Sequence, residues 1–389
     1  MCGIIHIGLR RNLIYVILSI VFHFVRKVDI IIINEKYNFN DSLIFTLLML
    51  FGELFAGISI CIYQKYTFKK RETNNKTILG INLIINEFKM NRPDGIPKIL
   101  LLIFFTAYFD FLEYVLATFY FPKYPVLSPT VELRFGGGII ILAALICHYV
   151  LKIKILKHQF YSLIIICISL AIIIILEIIY RGKGVLFGEF CYGYLLVLSY
   201  LVFVPFTDVI EKYLMEFDFI NPFYILSIES FFGLILFAIY SARANLFKDI
   251  KRIHEENSTG DFVLLLFLLF LYLALSAGAN AYRILTNCLF SPMVKTLSVY
   301  ILNPIIFVYY FMNGNDFLSL GEKNWFYFIA NIIIAMVISF FGCVFNEFLV
   351  LSCCDLDKET HYTISKRALI YPISPNNIIN EDSDDITEI

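Results

Sequence analysis

The sequence predicts an all-α integral membrane protein of ten transmembrane helices, built as two inverted five-helix repeats. Three observations carry this expectation. Of the 389 residues, 59% are hydrophobic and 16% charged, whereas a soluble domain is about 45–50% apolar and about 25% charged. Apolar runs of roughly 20 residues, one bilayer thickness each, recur along the chain. Two short motifs each occur twice, once per half. Ser128-Pro129-Thr130-Val131-Glu132 and Ser291-Pro292-Met293-Val294-Lys295 both read S-P-x-V followed by an ionisable residue, 163 positions apart. Glu53 with Gly57 and Glu229 with Gly233 both read E-x-x-x-G, 176 positions apart.

The spans are expected at 12–33, 43–64, 99–119, 127–151, 160–180, 190–210, 222–241, 262–282, 289–312 and 325–349. The first is interrupted by Arg26, Lys27 and Asp29; the basic pair can snorkel toward the nearer interface. It lacks a small-residue cleavage site and reads as a retained helix, not a signal peptide. Between the second and third spans, 66–98 is polar and basic and reads as a cytoplasmic linker. The first half is thus 1–187 and the second 188–352. The tail, 353–389, ends in EDSDDITEI and is too poor in apolar residues to fold, so it is expected to be a disordered cytoplasmic segment. Five spans per half is an odd number, which inverts the second copy.

Orientation follows from Lys and Arg. With the N-terminus in the cytoplasm, 18 of the 31 fall on the inner side and 9 on the outer, with Arg283 and Lys212 counted as inner-side residues. The loop after the seventh span is locally basic, yet it holds the sequon Asn257-Ser258-Thr259, which is glycosylated only on the lumenal or outer face.

The candidate site residues are the ionisable groups inside spans, each costing roughly 2.5–3.5 kcal/mol at the bilayer centre. Glu132 and Lys295 follow their prolines by one helical turn, and an inverted repeat brings them together near its axis. They form a pair lining a substrate cavity, or a structural ion pair, or they are two helix ends exposed to water. Arg134 is two residues from Glu132 and cannot share its helix face; it needs another partner or faces an anionic substrate. Asp110 and Glu113 are at i, i+3 on one face, suited to a substrate site or a proton relay. Glu53 and Glu229 lie deep in their spans, as helix–helix polar contacts or as a polar, ion-coupling path. Gly136, with Gly137 and Gly138, permits close helix contact or bending, and Pro304 after Asn303 marks a kink or gate. Asp208, Glu211 and Lys212 read as an interfacial group, with Asp208 and Lys212 at i, i+4.

Other classes find no support. The net charge of −1 gives no case for nucleic acid. His23, His148, His158 and His254 form no ligand cluster, and the nine cysteines show no metal spacing. Cys353 and Cys354 stand where reversible palmitoylation occurs. There is no G-x-S-x-G, P-loop or H-E-x-x-H. The expectation is a non-enzyme with no cofactor and no metal, whose partners are a small-molecule substrate and the lipid bilayer, with a homodimer as a compatible assembly.

The pattern resembles the drug/metabolite transporter (EamA-like) superfamily, and within it the F branch of solute carrier family 35, relatives of nucleotide-sugar transporters. Phe51-Gly52-Glu53 resembles that family's L-G-E, Phe109-Asp110 its C-D, and Leu133-Arg134 its L-R-G. Leu151-Lys152 through Gln159 resembles its L-x-x-x-L-x-x-x-Q connection, Glu211-Lys212-Tyr213 its E-K-[FY], and Glu229 through Gly233 its E-x-x-F-G. The resemblance implies ten helices in two inverted repeats, cytosolic termini, and a central cavity lined by helices 1–4 and 6–9. It further implies a secondary-active or exchange transporter of a small polar or anionic solute, in a Golgi or endolysosomal membrane, with the plasma membrane as the other location. The competing expectation is a non-transporting membrane adaptor or receptor.

Overall fold

The computed structural model describes residues 6–7, 13–37, 39, 42–69, 94–116, 131–181, 187–242, 248–256, 259–312, 325–351 and 360. Its helices, in chain order, are α1 (Leu13–Tyr37), α2 (Ser42–Lys69), α3 (Ile96–Val115), α4 (Val131–Val150), α5 (Lys157–Arg181), α6 (Phe187–Glu216), α7 (Pro222–Ser241), α8 (Lys248–Glu256), α9 (Thr259–Leu289), α10 (Pro292–Tyr300), α11 (Asn303–Met312) and α12 (Trp325–Phe345). A short antiparallel ladder joins β1 (His6–Ile7) to β2 (Leu349–Val350), a feature the hydropathy pattern does not signal. The acidic tail, the central part of the linker, Asn257 and the palmitoylation candidates lie outside the described residues, as does the Glu132 side chain.

Over their described residues nine of the expected spans each coincide with one helix, and the ninth in order is split between α10 and α11. Among the described residues, seven stretches are long and apolar enough to cross a membrane: α2, α5, α6, α7, α9, the run Pro292–Tyr309 across α10 and α11, and α12. The other three fall short for visible reasons. Lys98, Asp110 and Glu113 interrupt α3, Arg26, Lys27 and Asp29 interrupt α1, and the apolar part of α4 is the shorter stretch Arg134–Val150.

The repeated motif has a local cause. Ser291 is the N-cap of α10: its Oγ accepts from the Val294 N–H at 3.2 Å, and Pro292 occupies the first helical turn, where no N–H is needed. Asn221 and Pro222 start α7 the same way, with the Asn221 side chain accepting from the Phe223 N–H at 3.0 Å. The ninth span is broken, as Asn303-Pro304 suggests. Pro304 has no N–H for the Tyr300 carbonyl, so α10 ends at Tyr300. The chain restarts with the Ile305 and Ile306 N–H groups donating to the Leu302 carbonyl at 3.1 and 3.3 Å.

Two boundaries correct the sequence expectation. The eighth span is expected at 262–282, but α9 continues to Leu289, so Arg283 lies inside the helix, not in an inner loop. The sixth is expected at 190–210, but α6 continues to Glu216, which turns Asp208, Glu211 and Lys212 into helix-interior residues. The reason is the same in both: paired charges are tolerated in a helix that buries them, whereas a hydropathy window ends at the first one.

The packing interleaves the two halves. α1 lies on α9; α2 on α7 and α9; α3 on α6 and α7; α4 on α6, α5 and α10; α5 on α12; and α10 on α1. Glycines permit the closest approaches. A Cβ at Gly57 would stand 2.3 Å from Ser227 Oγ and 3.0 Å from the Phe223 carbonyl, and one at Gly233 would stand 2.8 Å from Leu50 Cδ2. Charged residues sit inside and large apolar ones outside. Glu53, Arg134, Glu177, Asp208, Glu211, Glu229 and Lys295 are all buried, while Ile164, Ile168, Ile172, Ile175 and Ile179 form an exposed stripe along α5. That inversion suits a lipid solvent.

At the foot of α3 the chain is tied to the end of α6. Asp94 accepts from Lys98 Nζ at 2.8 Å and from Tyr213 OH at 3.1 Å, and its N–H donates to Asp218 Oδ1 at 3.1 Å. The hydrogen bond from Lys98 holds the Asp94 carboxyl below the ordinary range. Burial pushes Asp218 up.

Candidate functional site

The interior holds two ionic networks and, between α2 and α7, a pair of glutamates. The larger network joins α6, α9, α10 and α3. Asp208 and Glu211 are at i, i+3 on α6 and point to the same side. Lys295, one turn into α10, contacts Asp208 and stands 3.3 Å from Glu211 Oε2. Arg283 on α9 stands 3.3 Å from Glu211 Oε1 and 3.9 Å from Asp110 Oδ1 on α3. Asn287, one turn beyond Arg283, donates to Glu211 Oε2 at 2.8 Å and to the Asp208 carbonyl at 2.9 Å. Thr296 Oγ1 donates to Asp208 Oδ2 at 3.4 Å. Glu211 thus receives two cations and an amide, which is what a carboxylate without water requires.

The expected Asp208–Lys212 pair does not form. Asp208 goes to Lys295, and Lys212 Nζ donates to the carbonyls of Cys288 and Phe290 at 2.9 and 3.2 Å and meets Glu216 at 3.0 Å. Lys212 therefore caps the end of α9, where unsatisfied carbonyls and the helix dipole favour a cation.

The second network joins α4, α5, α6 and α12. Arg134 Nη1 is 2.9 Å from Glu177 Oε1 and also donates to Tyr327 OH. Tyr327 OH donates to Glu177 Oε1 at 2.5 Å, and Tyr194 OH to Glu177 Oε2 at 3.3 Å. The guanidinium carbon lies 6.0 Å from the Phe307 ring centre and 5.9 Å from that of Tyr327, so the cation has aromatic faces as well as a carboxylate. A cavity of about 20 Å³, room for one water, lies beside it, lined by Arg134, Gly136, Gly137, Tyr300, Asn303 and Pro304 among others. Gly136 backs onto the Tyr300 ring, where a Cβ would stand 2.8 Å from Cδ1. Tyr194 and Asp208, which anchor the two networks on α6, are 14 residues apart, so the networks are separated by about 21 Å along that helix.

Between α2 and α7, Ser230 Oγ donates to Glu53 Oε2 at 3.3 Å. Glu53 Oε1 and both Glu229 oxygens have no hydrogen-bond partner among the described residues. Near the broken ninth span, Lys27 Nζ donates to Asn303 Oδ1 at 3.3 Å and Ser19 shares a 3.0 Å hydrogen bond with Ser298. Both contacts hold α1 against α10 and α11.

The structure therefore gathers Lys295 and Asp110 into one network and places Arg134 in another, with Glu113 half-buried one turn from Asp110. Lys295 is held by Asp208 and Glu211, two residues that the hydropathy pattern places at the interface. Arg283, Asn287, Glu177 and Tyr327 were not singled out. A signal existed for α9: Ser276, Asn280, Arg283 and Asn287 recur at three and four residues, a polar stripe on one helix face. Glu177 and Tyr327 had none, because each stands alone near the end of an apolar run.

An apolar exterior, several membrane-length helices and a charged interior define a multi-pass integral membrane protein. No family model matches this chain, and none of the curated proteins matches it.

Proposed function

We propose that the protein is a secondary-active or exchange transporter that moves a small polar or anionic solute across an endomembrane, Golgi or endolysosomal, by alternating access. Its ten spans are two inverted five-helix halves, an architecture resembling the drug/metabolite transporters and the F branch of solute carrier family 35.

One observation carries the reading: the most extensive helix packings survive exchange of each span with the span five places on. The contact of α1 with α9 becomes that of α6 with α3. The contact of α2 with α9 becomes that of α7 with α3, and α4 on α6 becomes α10 on α1. The pairs α2–α7, α4–α10 and α5–α12 map onto themselves. The E-x-x-x-G motifs cross at the centre of the α2–α7 pair, with Gly57 against Ser227 and Gly233 against Leu50. Helices with such a pseudo-twofold partner can rock about the shared axis.

In this mechanism the two networks are the closures. The one around Lys295 seals one end of the bundle and the one around Arg134 the other. An anionic solute enters by competing with the internal carboxylates for Lys295 or Arg134. Glu132, Asp110 and Glu113 line the route with them, Glu53 and Glu229 form the polar floor, and Gly136 and Pro304 let the helices bend.

The test is counterflow into proteoliposomes with a panel of nucleotide sugars, nucleotides, amino acids and organic cations. Saturable uptake of one class is expected, lost in Lys295→Asp and regained when Asp208→Lys is added. Silence across the panel from folded protein, or wild-type flux in Lys295→Asp, overturns the reading.

A further inference from the structure

We propose that Glu229 and Glu53 together form a proton-binding site at the α2–α7 crossing, and that the proton is the ion coupled to transport. This rests on the transporter reading above and gives it an ion and an address.

The geometry isolates these two carboxyls. Glu229 is 2% exposed and Glu53 1%, yet three of their four oxygens have no hydrogen-bond partner among the described residues. A bare carboxylate without water or a donor is among the least tolerable groups in a protein interior. Among the described residues the neighbouring elements place no cation in contact with either carboxyl. α3 presents Asp110 and Tyr114, α6 presents Glu211, and α9 presents Arg283 and Tyr272. Arg283 is already placed on Glu211 and Asp110. Lys295 is taken by Asp208 and Glu211. From α1, Arg26 reaches Glu53 and Asp110 only through space. Among the described residues Asp110, Asp208 and Glu211 each have Arg283 or Lys295 within 4 Å, and Glu53 and Glu229 have no cation that close.

The ligand that completes the balance must be a cation, and the packing selects its size. On one side of the pair Gly57 touches Ser227, and on the other Gly233 touches Leu50, so closely that a single methyl would not fit without displacement. A hydrated or organic cation would have to part the two helices at these contacts. Among the described residues no group of three His, Cys, Asp or Glu is placed to hold a metal ion. A proton needs no volume. It adds from water to a carboxylate oxygen, forming an O–H bond that replaces a bare charge. It leaves by breaking that bond to water on the other side when the helices rock, with no electron transferred.

A hydrophobic carbodiimide, dicyclohexylcarbodiimide, tests the site without knowledge of the solute, because it adds only to the protonated acid and leaves an N-acylurea that mass spectrometry locates. Full-length protein in nanodiscs is expected to be labelled at Glu229 or Glu53, with labelling falling about tenfold per pH unit above its midpoint. Glu229→Gln abolishes the label at 229, and Glu53→Gln moves the midpoint for Glu229, as removal of a neighbouring carboxylate must. No label at either residue between about pH 5 and about pH 9, with half-buried Glu113 reacting as the internal control, overturns the site. An unmoved midpoint in Glu53→Gln overturns the pairing. The coupling is read in proteoliposomes with any solute that shows counterflow. An inward proton gradient accelerates net uptake in wild type, and Glu229→Gln takes up solute equally with and without the gradient, whatever its absolute rate. Counterflow in wild type that ignores the gradient overturns the coupling. If no solute in the panel moves, the transporter reading fails, and the labelling alone decides the proton site.

Discussion

Replacing Lys295 by methionine removes the ammonium that Asp208 and Glu211 share, while keeping most of the side chain's length. The two carboxylates are left in different positions. Glu211 retains Arg283 at 3.3 Å and Asn287 at 2.8 Å. Among the described contacts, the Asp208 carboxylate retains only the Thr296 hydroxyl at 3.4 Å. Breaking a buried ion pair by deleting one partner costs roughly 3–5 kcal/mol, most of it the orphaned charge. Because Glu211 stays satisfied, the loss belongs at the low end, about 3 kcal/mol. The double variant Lys295→Met with Asp208→Asn removes the orphan and keeps an acceptor for Thr296, so it should recover about 2 kcal/mol of that loss. Reversible unfolding in mixed dodecyl maltoside and dodecyl sulfate micelles, followed by circular dichroism, measures all four corners of the cycle. A loss below about 1 kcal/mol for Lys295→Met, or a double variant as unstable as the sum of the singles, would show that the network is not the closed, mutually satisfied unit described above.

Two further outcomes follow from packing and charge. Gly57→Val places carbon where Ser227 Oγ and the Phe223 carbonyl already stand, so it should cost roughly 1–3 kcal/mol in the same assay. Gly188→Ala, with nothing within 4 Å of the new carbon, should stay within about 0.5 kcal/mol of wild type; equal effects would refute the α2–α7 close approach. Asp218 has its folded-state pKa pushed up by burial, so the native protein binds more protons than the unfolded chain between the two values, and stability falls as pH rises through that window. Asp218→Asn lacks this loss and keeps the acceptor for the Asp94 N–H. Its melting temperature should exceed wild type at neutral pH and converge with it in acid; a constant difference across pH would rule out titration as the cause.

The helices were legible because apolar length is a local property, and so were the starts of α7 and α10, where a capping side chain and a proline stand side by side in the sequence. The break after Tyr300 was legible for the same reason: Pro304 removes one donor wherever it stands. The partners of the charges were not. Lys295 and Asp208 are 87 residues apart, and nothing local distinguishes Asp208 from Glu132 as the acceptor. Arg283 was hidden by a convention, since a hydropathy window closes at the first arginine, although Ser276, Asn280 and Asn287 continue its face of the helix. Glu177 and Tyr327 belong to different halves of the chain, and only the contact of α5 with α12 brings them to Arg134.

The seating of α1 on α9 sets a timetable for biosynthesis. The helix that carries Arg26, Lys27 and Asp29 ends at Tyr37, and the surface that receives it begins at Thr259. The ribosome must add about 220 residues between the two, which at roughly 5–20 residues per second is a delay of about 10–45 s. Through that interval the first helix to emerge has charges and no protein surface to hold them. It must be sheltered at the headgroup level or by the insertion machinery, and is drawn into place only when the eighth span arrives. A nascent chain arrested before Thr259 should therefore leave a cysteine placed in α1 open to a water-soluble maleimide, and one arrested well beyond Leu289 should protect it.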